Sequence, residues 1–168
     1  MIVLGIDPGT AITGWGLVSR EGDTLALVDY GTINTSPGTA LPLRLQTIYR
    51  ELGHIVSHHQ PDAVAVERLF FNKNARTAMA VGQARGVALL AVADAGLSLH
   101  EYTPLEVKQS VCGYGRASKE QIQKLVQMLL GLDIIPQPDD AADAIAVAIC
   151  HIHSSRLQSV LARASDET

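Results

Sequence analysis

The chain has 168 residues, of which 47% are hydrophobic and 18% are charged, and its net charge is −4. This length fits one compact domain, the apolar content excludes an intrinsically disordered chain, and the acidic balance argues against DNA binding over the whole surface. No apolar run reaches the roughly 20 residues that a membrane-spanning helix needs, and the start of the chain lacks a signal-peptide pattern, so we expect a cytoplasmic protein with no membrane association.

The first third of the chain predicts three antiparallel strands and a helix. An apolar run over residues 2–6 leads to Asp7-Pro8-Gly9, and two segments of strand composition follow, TGWGLVS and TLALVDYGTI. Apolar residues then recur at helical spacing from Leu41 to Ile55, and Pro61 should end that helix. We expect the helix to cover one face of the sheet.

The rest of the chain alternates strands with helices. The run AVAVE at residues 63–67 is typical of a strand buried on both faces and parallel to its neighbour, with Glu67 at its carboxyl end. The elements predicted after it are an Ala-rich helix over about 75–95, a strand in LSLHEY, a short helix in PLEVKQSV, a helix from Ser118 to Gly131, and a last helix from Asp139 or Asp140 to about His153.

This order of elements predicts an α/β protein with a mixed five-stranded sheet and helices on both faces, and it resembles the ribonuclease H-like fold. We expect one domain over residues 1–156. Beyond Arg156 the sequence is polar, so residues 157–168 are predicted to form a flexible C-terminal tail.

Four acids occupy positions that are typical of functional groups. Asp7 ends the first strand, Glu67 ends the fourth, and Asp140 and Asp143 lie on one face at the start of the last helix because their spacing is i,i+3. If the first and fourth strands are neighbours, Asp7 and Glu67 lie side by side at the edge of the sheet where open α/β sheets bind ligands.

A cluster of carboxylates repels itself unless divalent cations neutralise it, and oxygen ligands favour Mg²⁺ or Mn²⁺. Two such ions roughly 4 Å apart can activate a water on one side of a phosphodiester and stabilise the departing oxygen on the other. The pattern therefore predicts a nuclease that holds two Mg²⁺ ions, which Mn²⁺ can replace.

Each acid also has a structural interpretation. Asp7 could start a turn before Pro8 and Gly9, and Arg68 could pair with Glu67. One of Asp139 and Asp140 could cap the last helix.

Aromatic and basic residues follow Glu67 and suggest contacts with nucleic acid. The only two phenylalanines of the chain are Phe70 and Phe71, and Lys73 and Arg76 come shortly after them. Exposed aromatic rings stack on unpaired bases, although either ring could instead belong to the core. The segment from Arg68 to Lys124 holds eight basic and four acidic residues, so it carries +4 while the remainder carries −8, as a basic face or an ordinary solvated surface would.

The motifs together resemble the RuvC-type Holliday junction resolvases across almost the whole chain. The segments that carry the resemblance, in order, are VLGIDPGT, TGWGL, AVERLFFNKNARTAMAVGQARG, EVKQSV and PQPDDAADAIAVAICH. The resemblance implies that the domain is a nuclease with Asp7, Glu67, Asp140 and Asp143 as its metal-binding catalytic acids. Alignment on AADA favours Asp140, but Asp139 at i,i+4 to Asp143 is also geometrically acceptable.

The resemblance further implies contacts with four-way junction DNA. In this interpretation Phe70 stacks on or wedges between bases at the crossover, and Lys108 and Lys119 meet the phosphate backbone near the cut. Lys119 also follows Ser118 at a predicted helix start, where free backbone N–H groups favour anions. The family acts as homodimers, and it leads us to expect contacts with branch-migration proteins.

Gly82 and Gly86 lie inside the Ala-rich helix at a cost of roughly 1 kcal/mol each, which predicts close packing against either the sheet or a partner helix in a dimer. Three rival functions stay open from the residues alone: an actin-like ATPase, which the length disfavours, a junction-binding protein without activity, and a ribonuclease H that acts on RNA–DNA hybrids.

Overall fold

In the computed structural model of the protein, one five-stranded sheet is covered by helices on both faces. The structure describes residues 1–68 and 75–166, and for 75–77 and 158–166 the backbone alone. The strands are β1 (Ile2–Asp7), β2 (Ile12–Glu21), β3 (Thr24–Asn34), β4 (Ala63–Glu67) and β5 (Leu99–Tyr102). The helices are α1 (Leu41–His59), α2 (Ala75–Asp94), α3 (Pro104–Cys112), α4 (Lys119–Leu129) and α5 (Asp139–Asp166).

The sheet is mixed, with the strand order β3-β2-β1-β4-β5. The first three strands are antiparallel, and β4 is parallel to both β1 and β5. Parallel neighbours need a crossover connection, which α1 supplies before β4 and α2 supplies before β5. The predicted fold class is therefore confirmed.

The apolar residues of the central strands alternate between two cores. Leu4, Ile6 and Val64 pack under α1 and α2, whereas Val3 and Ala65 pack under α3, α4 and α5. Because successive side chains of a strand point to opposite faces, one continuous apolar run serves both layers. No helix in the described part of the chain is long and apolar enough to cross a membrane.

Helix α5 lies very close to β1 and β2 because glycines face it. A Cβ atom at Gly5 would overlap the backbone of Ala144, and a Cβ atom at Gly14 would overlap the backbone of Asp140. These absent side chains let the Ala-rich start of α5 rest directly on the sheet. The position of the first turn of α5 relative to the end of β1 is therefore fixed by main-chain packing.

The end of the chain differs from the prediction. We expected α5 to end at about His153, but the helix continues to Asp166. The flexibility of residues 157–168 stays a prediction. The segment LQSVLARA contains helix-forming Leu, Gln, Ala and Arg and neither Gly nor Pro, so nothing in it stops the helix. Its polarity alone did not indicate the end of the helix.

Candidate active site

The parallel pairing of β1 with β4 brings two acids to the same edge of the sheet. Ile6 pairs with Val66, so the next residues, Asp7 and Glu67, end their strands side by side. This is the neighbour relationship that the sequence pattern required.

Helix α5 brings the other two acids to this edge. Asp7 pairs with Gly14 across β1 and β2, and the missing side chain of Gly14 admits the backbone of Asp140. Asp143 follows one turn later, so both aspartates of α5 start from a helix turn that is packed against the end of β1.

Burial and mutual repulsion perturb the cluster electrostatically. The pKa of Asp7 is raised from 3.8 to about 7, mainly by burial and then by the charges of Glu67, Asp143 and Asp140. Burial, followed by the charge of Asp143, also raises the pKa of Glu67. Carboxylates that disturb one another in this way attract cations.

Lys119, the first residue of α4, is the cation paired with this cluster. Its Nζ lies 2.9 Å from Oδ2 of Asp143 and 3.3 Å from Oδ2 of Asp139. The pKa of Asp143 is nevertheless raised, because burial outweighs the contacts with Lys119. Ser118 begins α4 with a capping box to Gln121, which confirms the predicted N-cap and fixes where Lys119 starts.

The two candidates for the third acid have different surroundings. Asp139 is exposed, accepts a hydrogen bond of 3.0 Å from Nε2 of Gln123 and has a lowered pKa, first because of Gln123 and then because of Lys119. Asp140 raises the pKa of Asp7, whereas Asp139 is absent from the groups that shift it. Asp139 therefore interacts with residues of α4, whereas the charge of Asp140 acts on Asp7.

A cleft of about 210 Å³ opens beside the acids. It is lined by Glu67, Asp143, Lys108 and Lys119 together with apolar residues of α3, α4 and α5. We call it the Lys119 cleft. Lys108 also lowers the pKa of Glu67, against the larger effect of burial. Two predicted phosphate-binding lysines therefore share one cleft with two of the acids.

The acids fit divalent cations by their donor chemistry. Among the described residues, the carboxylates of Asp7, Glu67 and Asp140 have no hydrogen-bond or ion-pair partner. No group of three His, Cys, Asp or Glu side chains in the described ranges could by itself hold an ion. Carboxylate oxygens are the ligands that Mg²⁺ prefers, and Mg²⁺ is usually bound by one or two carboxylates together with waters and substrate phosphate oxygens.

The structure describes little of the other predicted DNA contacts. Phe70 and Lys73 lie outside the described residues, as does Phe71. Arg76 belongs to the first turn of α2, where only the backbone is described.

Sequence reasoning missed the threonines that hold the loop after Asp7. The hydroxyl of Thr10 donates to the carbonyl of Ala80 in α2 at 2.7 Å, and that of Thr13 donates to the carbonyl of Gly9 at 2.7 Å. The hydroxyl of Thr35 donates to the carbonyl of Thr10. The threonines at positions 10 and 13, directly after the Pro-Gly turn, were the available signal.

Acids at the ends of two central parallel strands, joined by acids from a helix that crosses the sheet, place this protein among the ribonuclease H-like nucleases. The family model described as "Crossover junction endodeoxyribonuclease RuvC" matches residues 3–151. The protein of that name from Alkaliphilus metalliredigens is 56% identical over 160 residues, which cover 95% of this chain and 98% of the relative.

Two solved structures of Thermus thermophilus RuvC are similar throughout. One has a TM-score of 0.88 and 36% identity and covers 94% of this chain and 97% of its own. The other, in complex with Holliday junction substrate, has a TM-score of 0.86 and 34% identity, with coverages of 94% and 96%. The chain belongs to the RuvC family of crossover junction endodeoxyribonucleases, which are divalent-metal-dependent nucleases.

Proposed function

We propose that this protein resolves four-way DNA junctions by hydrolysing one phosphodiester bond in each of two symmetry-related strands, as a step of recombination and repair in the cytoplasm. The observation that carries the proposal is Asp7, a half-buried carboxylate surrounded by Glu67, Asp140 and Asp143 and with a pKa raised to about 7. Repulsion among these charges destabilises the fold, and bound cations would offset that cost. The same cations would act on the phosphate.

The proposed ligands are Asp7, Glu67, Asp140 and Asp143, and the proposed cations are two Mg²⁺ ions, which Mn²⁺ can replace. When bound, the pair would activate a water and stabilise the departing oxygen. Because Gly5 and Gly14 let the start of α5 pack directly on the sheet, Asp140 and Asp143 are held beside β1. These ligands therefore need little rearrangement to bind the cations. Asp139 stays with Gln123 and Lys119 as a positioning residue.

The two lysines of the Lys119 cleft act on the DNA. Both line this cleft together with Glu67 and Asp143, beside which the scissile phosphate must bind. Lys119 can pass from Asp143 to a phosphate oxygen as charge develops there, and Lys108 binds an adjacent phosphate. We further propose that Phe70 stacks on bases at the crossover and that Lys73 and Arg76 bind the backbone beside it.

We propose that the working unit is a homodimer with α2 at its interface. Met79, Gln83, Gly86 and Leu90 form an exposed stripe on this helix, in which Met79 is 69% and Leu90 is 53% exposed. A Cβ atom at Gly86 would meet nothing within 4 Å, so this glycine does not serve packing on the sheet. A second copy can approach closely there, and two copies supply the two cuts that resolution needs. Branch-migration proteins are proposed as further partners on the family resemblance alone.

Cleavage of synthetic DNA tests the function directly. We expect Mg²⁺-dependent paired nicks at symmetric positions of a four-way junction, and no comparable cutting of a linear duplex of the same sequence. Cutting of an RNA–DNA hybrid instead would favour a ribonuclease H. Junction binding without cleavage in either Mg²⁺ or Mn²⁺ would indicate a silent junction-binding protein.

A further inference from the structure

A second cleft opens beside the acids. It has a volume of about 670 Å³ and lies between the loop after β1, the first turn of α1 and α2. Asp140 lines this cleft, whereas Asp143 lines the Lys119 cleft. Because both aspartates come from the start of α5, the two clefts meet at the acid cluster. A DNA strand whose phosphate is held by the acids can therefore enter through one cleft and leave through the other.

Arg44, in the first turn of α1, is the only cation among the described residues that line this second cleft, which we call the Arg44 groove. Its Nε donates a hydrogen bond of 2.8 Å to the hydroxyl of Thr35. The same hydroxyl donates to the carbonyl of Thr10, so the loop that follows Asp7 orients the arginine. The anchoring leaves the two terminal nitrogens of the guanidinium for another acceptor.

Arg44 also has no counterion among the residues that the structure describes. In the described ranges no carboxylate lies within 4.0 Å of its guanidinium. An oriented guanidinium without an acidic partner is well suited to bind a phosphate, because its planar fork matches two phosphate oxygens.

The remaining lining of the Arg44 groove suits the sugars between phosphates. Ala11, Ile12, Leu41 and Val81 contribute apolar surface, and Ile12 is 37% exposed. This apolar surface accommodates deoxyribose rings. The single cation of the described lining, Arg44, can bind one phosphate. The volume is that of pockets which bury a nucleotide-sized ligand.

We propose that Arg44 binds a phosphate of the cleaved strand next to the scissile phosphate, on the side away from Lys108 and Lys119. This assignment rests on the proposed function, since it takes junction DNA as the ligand. The cleaved strand then crosses the acid cluster from the Lys119 cleft to the Arg44 groove, with its backbone held by a cation on each side of the cut.

The first experiment measures junction binding against salt concentration in the absence of divalent cations. It compares the wild type with Arg44→Ala, Arg44→Lys and Arg50→Ala, the last being an exposed arginine of the same helix. Loss of one phosphate contact lowers the slope of log K against log salt concentration by about 0.9. For each Arg44 that contacts a phosphate, we expect Arg44→Ala to reduce the slope by this amount. We expect a smaller change in slope for Arg44→Lys and no change for Arg50→Ala.

The second experiment locates the phosphate. Single methylphosphonate linkages, which are uncharged, are placed in turn along the cleaved strand. We expect one linkage beside the cut to weaken binding by the wild type and by Arg50→Ala, but to have no further effect on Arg44→Ala.

The possible outcomes distinguish a failure of the inference about Arg44 from a failure of the proposed function. An Arg44→Ala protein with a lowered melting temperature, an unchanged salt slope and the methylphosphonate profile of the wild type would make Arg44 a support of the Thr35 loop and overturn the inference. A wild type that neither binds nor cuts junctions would overturn the proposed function itself.

Discussion

The ammonium group of Lys119 lies 2.9 Å from the carboxylate of Asp143, so the start of α4 is tied to the start of α5 by an ion pair within the candidate active site. The same lysine contacts Asp139 at 3.3 Å. It therefore neutralises part of the acid cluster and stands where the charge of a bound phosphate would develop.

Removing this cation should impair catalysis more than folding. We expect Lys119→Met to lower the rate of junction cleavage roughly 100-fold, as loss of one electrostatic contact to the transition state does elsewhere. The pKa of Asp143 should rise further, because Lys119 lowers it. Single-turnover cleavage measures the effect, and Lys124→Met, an exposed lysine of the same helix, is the control. Equal rates for both variants would remove Lys119 from the mechanism.

The neighbouring acids at the start of α5 should not be equivalent. Asp140→Asn should abolish most cleavage, because it removes one proposed ligand beside Asp7. Asp139→Asn should cost far less, because Asp139 is exposed and already bonded to Gln123. Cleavage rates over a range of Mg²⁺ concentrations compare them. The reverse order would show that Asp139 is the ligand.

The open surface at Gly86 allows interface and fold to be tested separately. Gly86→Leu should weaken dimerisation, whereas its melting temperature at a concentration where both proteins are monomeric should be unchanged or higher, because leucine is the better helix former by roughly 1 kcal/mol. Gly53→Leu is the matched control in α1, where a Cβ atom also meets nothing within 4 Å. Sedimentation velocity and thermal melting give both readouts. A Gly86→Leu protein that dimerises like the wild type would place the interface elsewhere.

A buried histidine should make the fold sensitive to acid. His151 is 5% exposed and its Nδ1 is 2.8 Å from the hydroxyl of Tyr102. Burial, and then the charge of His100, lowers the pKa of His151 from 6.5 to about 4. The unfolded chain thus binds a proton between these values that the folded protein does not, so the free energy of unfolding falls as the pH falls from 6.5 to 4.

At about 1.4 kcal/mol for each pKa unit, this loss is at most about 3 kcal/mol. Urea unfolding at pH 7 and pH 4.5 measures it. His151→Gln should reduce the difference between the two pH values, whereas His54→Gln, at an exposed position, should leave it unchanged. An identical difference in all three proteins would contradict the assignment.

Much of the architecture could be predicted because the sequence pattern has a direct physical cause. AVAVE is typical of a strand covered on both faces, and Ser118 with Gln121 begins a helix by capping. The sequence left open whether β1 and β4 are neighbours, and the structure pairs them, which brings Asp7 and Glu67 together.

Other features depend on contacts that the local sequence does not encode. Gly82 and Gly86 were predicted to mark close packing against the sheet or a partner helix. At Gly86 a Cβ atom would meet nothing within 4 Å, whereas at Gly5 and Gly14 it would overlap the backbone of α5. The different surroundings of Asp139 and Asp140 arise from Gln123 and Lys119 of α4, the helix before α5, and no local pattern indicates that these residues contact Asp139. Arg44 became a candidate only when folding brought its helix beside the loop after Asp7.

The most direct test of the central claim, that this acid cluster cuts junctions with bound cations, is to measure binding and cleavage by Asp7→Asn on one preparation. The substitution removes a charge from the cation site but leaves the phosphate-binding lysines and Arg44 in place. We expect junction affinity within a few-fold of the wild type and no detectable cleavage in Mg²⁺. Cleavage at a rate close to that of the wild type would contradict it.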